Sequence, residues 1–119
     1  MILRRLALAL VLCGLALPIP TSAQTQGEAM QKYVIERDLP GAGRLSAAEL
    51  NAASKKSRDA LASLKTNVQW VQSYVTDDKI YCVYLAESED EIRNHAKAAG
   101  LPATRISPVK TILDPTNGN

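Results

Sequence analysis

At 119 residues, with 14 Lys and Arg against 12 Asp and Glu, the chain has room for one compact core and not for two. Its formal charge of +2 is spread thinly and gathers in no basic stripe. That excludes the phosphate-neutralising surface of a nucleic-acid binder.

The chain begins with the three parts of an export signal. Met1-Ile2-Leu3-Arg4-Arg5 is basic, residues 6–17 are apolar, and Pro18-Ile19-Pro20-Thr21-Ser22-Ala23 ends in small residues. The pattern predicts a signal peptide over 1–23, cleaved after Ala23, and a periplasmic or secreted protein. The apolar run falls short of the roughly 20 residues a transmembrane helix needs, so no permanent membrane span is expected. Leu12 precedes Cys13 where lipoprotein signals place a small residue, which argues against a lipid anchor. Cleavage removes Arg4 and Arg5, bringing the charge to about zero, and leaves Cys82 as the sole thiol. In an oxidising compartment such a cysteine is buried, metal-bound or paired between chains.

Residues 24–31 are small and polar and read as a flexible arm. The folded domain is expected over 32–116, with a tail at 117–119. Tyr33-Val34-Ile35-Glu36-Arg37 is β-rich and stops at the turn-forming Pro40-Gly41-Ala42-Gly43. Ser46, with Glu49 three residues on, predicts a capping box. Leu50, Ala53, Ser57, Leu61 and Leu64 then fall at helical spacing, to about residue 64. Residues 68–76 and 79–87 predict a hairpin closed by Asp77-Asp78. With that loop Thr76 opposes Lys79, Tyr74 opposes Tyr81, Gln72 opposes Val83 and Trp70 opposes Leu85. One face then carries Trp70, Tyr74 and Tyr81, and the other Val71, Ser73, Val75, Ile80, Cys82 and Tyr84. Both are apolar enough to need cover. Ser88 and Glu91 open a second helix with an inward stripe of Ile92, His95, Ala96 and Ala99, ended by Gly100 and Pro102. A last strand is expected over 109–113.

Strand, helix, strand, strand, helix, strand is the split βαβ order of α+β ferredoxin-like folds, a four-stranded antiparallel sheet with two helices on one face. The other face, apolar here, predicts a homodimer that packs sheet against sheet.

Cysteine and histidine are the side chains best suited to soft and borderline transition metals. Cys82 lies in mid-strand, where a small buried apolar residue is the plainer expectation. As a ligand it would be a thiolate. His95 reaches Cys82 only where the face bearing Ser73 and Cys82 lies beneath the helices. Glu36 and Asp38 share one side of the first strand and offer carboxylate oxygens, although exposed charge is the commoner outcome there. Trp70, Tyr74 and Tyr81 suggest an aromatic patch in core or dimer contact, and Arg58 is expected to snorkel to water.

Several blocks occur in a fixed order: Tyr33-Val34-Ile35-Glu36-Arg37-Asp38-Leu39-Pro40-Gly41-Ala42-Gly43, Trp70-Val71-Gln72-Ser73-Tyr74-Val75, Tyr81-Cys82-Val83-Tyr84, and Ile92-Arg93-Asn94-His95-Ala96 followed by Gly100-Leu101-Pro102-Ala103. Together they resemble a family of small bacterial proteins of unknown function, one branch of which is nickel-binding. The resemblance implies a ferredoxin-like fold, a homodimeric α+β barrel, and Cys82, His95 and Glu36 as ligands to a divalent transition metal such as nickel. Two positions depart from it: Gln72 stands where relatives carry histidine, and Arg58 where some carry cysteine. The expected function is therefore exported metal binding, with nickel favoured by the resemblance, although copper and zinc accept similar ligands. One alternative is a dimeric α+β barrel that binds or converts a small molecule in a pocket between sheet and helices. Another is an interaction domain without a ligand. No triad, phosphate loop or second histidine names a reaction, so a binder is expected ahead of an enzyme.

Overall fold

The computed structural model describes residues 29–118. The expected signal peptide and residues 24–28 of the expected arm lie outside them. Gln31, grouped with the arm on composition, opens the first strand. In chain order come β1 (Gln31–Asp38), α1 (Ala47–Leu64), β2 (Gln69–Val75), β3 (Lys79–Ala86), α2 (Glu89–Ala99) and β4 (Arg105–Pro108). The strands form one antiparallel sheet in the order β2-β3-β1-β4, the ferredoxin-like arrangement. Among the described residues no helix is long and apolar enough to cross a membrane.

Both helices start where local chemistry demands. Ser46 accepts from the Glu49 N–H at 3.2 Å while the Glu49 carboxylate accepts from the Ser46 N–H at 2.7 Å, closing the capping box of α1. Ser88 caps α2 through the Glu91 N–H. Glu89, Asp90 and Glu91 place negative charge in its first turn, where the helix dipole favours it. Gly100 ends α2 in the left-handed conformation, φ 65°, and the Leu101 N–H returns to the Ala96 carbonyl at 2.9 Å.

The β1–α1 connection docks on the hairpin tip. Leu39 and Gly43 donate their N–H groups to the Asp78 and Asp77 carbonyls, each at 3.0 Å, and the Gly41 N–H reaches Asp78 Oδ1 at 2.9 Å. A Cβ on Gly43 would sit 3.0 Å from the Asp77 Cα, tighter than ordinary contact, so a larger residue would push the hairpin tip away.

Pairing of Ile35 with Cys82 and of Tyr33 with Tyr84 puts Tyr33, Ile35, Arg37, Cys82 and Tyr84 on the face beneath the helices. There Tyr33, Ile35, Cys82, Tyr84 and Ile92 of α2 form the core. The outer face carries Val34, Tyr81, Val83 and Leu85, half-buried, and Tyr74, which is 56% exposed.

Two expected details are corrected. The hairpin register holds from Val75 to Gln72, with Tyr74 opposite Tyr81 and Gln72 opposite Val83, but a bulge at Val71 moves Trp70 onto Tyr84 instead of Leu85. The extra residue turns Trp70 to the helix side, so it leaves the patch expected with Tyr74 and Tyr81 and stacks on Tyr84, ring centroids 6.4 Å apart. The last strand also comes earlier than 109–113. The connection after α2 reaches the sheet edge at Arg105, and Ile106 pairs with Ile35. Pro108 ends the strand, which an edge tolerates. Val109 still donates its N–H to the Lys32 carbonyl of β1 at 2.8 Å, but residues 110–113 are not paired as strand, and Leu113 is 85% exposed.

Candidate functional site

The inward helix stripe and the inward sheet face meet in a polar cluster that the period of each element fixes. His95 projects from α2 and is fully buried. Its Nε2 lies 3.1 Å from the Ser57 carbonyl and 3.2 Å from Ser57 Oγ. A carbonyl can only accept, so Nε2 carries the proton and Nδ1 presents a bare lone pair, buried and without a partner among the described residues. Burial pushes the imidazole below its usual value. The bond to the Ser57 backbone opposes that shift, and the charge of Arg37 adds to it. Tyr84 stands against the imidazole, ring centroids 5.3 Å apart, with its hydroxyl 3.4 Å from Ser57 Oγ. Burial raises the Tyr84 phenol above its usual range.

Next along the sheet is Arg37, only 2% exposed. Its Nε donates to Cys82 Sγ at 3.3 Å and its Nη1 to the Pro102 carbonyl at 2.6 Å, while Nη2 has no partner among the described residues. Among the described residues no acidic side chain forms an ion pair with this guanidinium. Arg37 helps to line a cavity of about 210 Å³ between α1 and the sheet. Leu50, Ala53 and Ser57 of α1 form its roof, with Trp70 and Cys82 in the wall and floor.

Cys82 and His95 thus lie on the same side of the sheet, the parity a shared ion would need. Each is engaged elsewhere: the sulfur accepts from a guanidinium, the imidazole N–H is held by Ser57, and it is Tyr84 that packs on the ring. Glu36 is on the opposite face, paired in register with Tyr81. It lies 3.4 Å from Lys79 Nζ and 3.9 Å from Arg105 Nε. Asp38 also approaches Lys79, at 3.3 Å, and is the chief cause of that ammonium's raised pKa, followed by Glu36. Among the described residues no three His, Cys, Asp or Glu side chains gather where they could hold a metal ion. The Arg37 guanidinium against Cys82, the one thiol among the described residues, adds a second obstacle, because its charge repels a metal cation. The arrangement within one protomer therefore does not fit a divalent cation held by Cys82, His95 and Glu36.

Arg37, Ser57 and Tyr84 define the site, yet none of them stands out as a site residue in the sequence. Arg37 nevertheless continues the period-2 series of Tyr33 and Ile35, which places a charge on the buried face. Ser57 is a hydroxyl in an otherwise apolar helix stripe. Both are polar residues at positions whose spacing predicts core.

Comparison with known proteins agrees with this fold. A crystal structure of SCO4226 from Streptomyces coelicolor A3(2) superposes with a TM-score of 0.59 at 18% identity, covering 69% of this chain and 99% of that one. No curated protein matches the chain. Residues 33–109, which hold every strand and helix of the sheet layer except the first residues of β1, match the family described as nickel responsive protein SCO4226-like. The chain belongs to that family.

Proposed function

We propose that this chain is an exported, non-enzymatic binding protein that works as a homodimer and takes a small molecule into the cavity between α1 and the sheet. One observation carries the reading: largely apolar walls surround a buried guanidinium, Arg37, whose hydrogen-bonding capacity is not used up among the described residues, which is the composition of a ligand pocket. At about 210 Å³ the cavity lies below the roughly 300–1,000 Å³ of pockets for drug-sized ligands, so its occupant is small. The half-buried outer face of β1 and β3 supports the dimer, because apolar sheet left wet favours association. Val83→Lys at its centre then yields a monomer by sedimentation, with unchanged circular dichroism.

Trp70 is the only tryptophan and lines the cavity, so its emission reports occupancy directly. Octan-1-ol titrated into residues 24–119 gives a saturable emission change, and Ala53→Trp, which fills the space, abolishes the accompanying rise in melting temperature. No saturable response in the parent chain overturns the cavity reading. A second reading, direct nickel binding, is favoured by the family's description and by the placement of Cys82 and His95 on one side of the sheet. Nickel chloride decides between them. The cavity reading expects no saturable shift that depends on Cys82, and a shift lost in Cys82→Ala establishes the metal instead.

A further inference from the structure

We infer that the cavity selects a small organic carboxylate with an apolar tail, and that Arg37 is the residue that binds the carboxylate. This rests on the cavity reading above and names its ligand class. Burying a guanidinium without a counter-charge is among the most costly arrangements a core can hold, and Arg37 has none among the described residues. None of its polar neighbours neutralises it: a thiol sulfur is a weak acceptor, the Pro102 carbonyl carries only a partial charge, and burial raises the Tyr84 phenol above its usual range, which keeps it neutral. Nη2 has no hydrogen-bond partner among the described residues and is closed to solvent, while the small exposed part of Arg37 borders the cavity, so an anion in the cavity engages the guanidinium once its free edge turns toward that space. An anion placed there supplies both the missing acceptor and the missing charge.

The rest of the site narrows the anion. Cys82 and Pro102 take two of the five guanidinium N–H groups, and the single positive charge that remains unmatched suits a carboxylate better than a phosphate, whose extra charge would need more cations. The serine hydroxyls of the lining, Ser54, Ser57 and Ser73, are neutral donors suited to the second oxygen. Leu50, Ala53, Trp70 and Val75 offer only apolar surface beyond, so the remainder of the ligand is hydrocarbon.

The test compares octanoate with octan-1-ol, which share a tail length and differ in charge, by Trp70 emission at pH 7. Octanoate is expected to bind at least about tenfold more tightly, the factor given by one hydrogen bond to a charged group. Arg37→Lys retains most of that preference, and Arg37→Met brings the two affinities together. Equal binding of octanoate and octanol to the parent chain overturns the anion anchor while the cavity reading stands, and this comparison does not depend on any variant folding. A preference for octanoate that survives in folded Arg37→Met overturns the role of Arg37. Inorganic phosphate binding as tightly as octanoate overturns the apolar tail. If neither octanoate nor octanol binds, the cavity reading falls and takes this one with it.

Discussion

The two helices lie on the same sheet and use it differently. α2, the shorter, buries Ile92, His95, Ala96 and Ala99 against β3 and α1. α1 is 18 residues long and buries only Ser57 and Ala60, leaving Leu50, Ala53 and Leu61 half-covered. The sequence explains the contrast. Ile35, Tyr84 and Ala86 lie on the sheet face that meets α2, shapes that close-pack. The cavity under α1 is bounded by Arg37, Trp70 and Cys82, and the roof residues over them are small, so the helix stands off. One half of the layer is built for stability and the other leaves space.

That contrast can be broken by paired truncations. Ile92→Ala removes a fully buried side chain and should cost about 2–5 kcal/mol, whereas Leu50→Ala, on the cavity roof, should cost about 1 kcal/mol. Urea denaturation measures both, and equal losses would mean that α1 is packed as tightly as α2. Arg37→Met sharpens the comparison from the other side. Removing a buried charge that lacks a counter-ion should leave the ligand-free chain about 1–2 kcal/mol more stable. A loss would show that the bonds to Cys82 and Pro102 outweigh the desolvation.

The smallest effect is a pH dependence confined to the α2 side. The folded-state pKa of His95 is lowered from its ordinary 6.5, so above that value both folded and unfolded chains carry a neutral imidazole. As the pH falls below about 6.5 the unfolded chain takes up a proton that the folded chain refuses, and stability drops. Melting temperatures compared at about pH 7 and about pH 5.5 should therefore fall for the parent chain and fall less for His95→Gln. His95 is the only histidine, so no other imidazole contributes.

Much of the frame was legible in the sequence because periodicity and caps are local signals. The Ser46 and Glu49 box, the α2 stripe and the Asp77-Asp78 loop all stand where spacing puts them. The bulge at Val71 was not legible, since an extra residue in a strand leaves no mark on its alternation, and it moved Trp70 to the other face. The last strand was misplaced because Ile112 and Leu113 have strand-like side chains, while β4 rests on backbone pairing with β1 that no residue type announces. At the site, residue type drew attention to Cys82, His95 and Glu36. The sheet parity separates Glu36 from the other two, and it gives the central position to Arg37, whose charge reads as surface until its neighbours are counted two by two.

The docking of Gly43 on Asp77 has a kinetic consequence. It fastens the leading end of α1 to the tip of the hairpin, while Thr66, just beyond the trailing end, is tied to Glu91 of α2 at 2.8 Å. A helix held at both ends cannot lift like a hatch. The flank along β2 is free to yield, because that strand has a neighbour on one side only. Under the proposed function a guest would come and go sideways, at a tempo set by fraying of a border strand, and stiffening that border would slow arrival and departure together while leaving affinity unchanged.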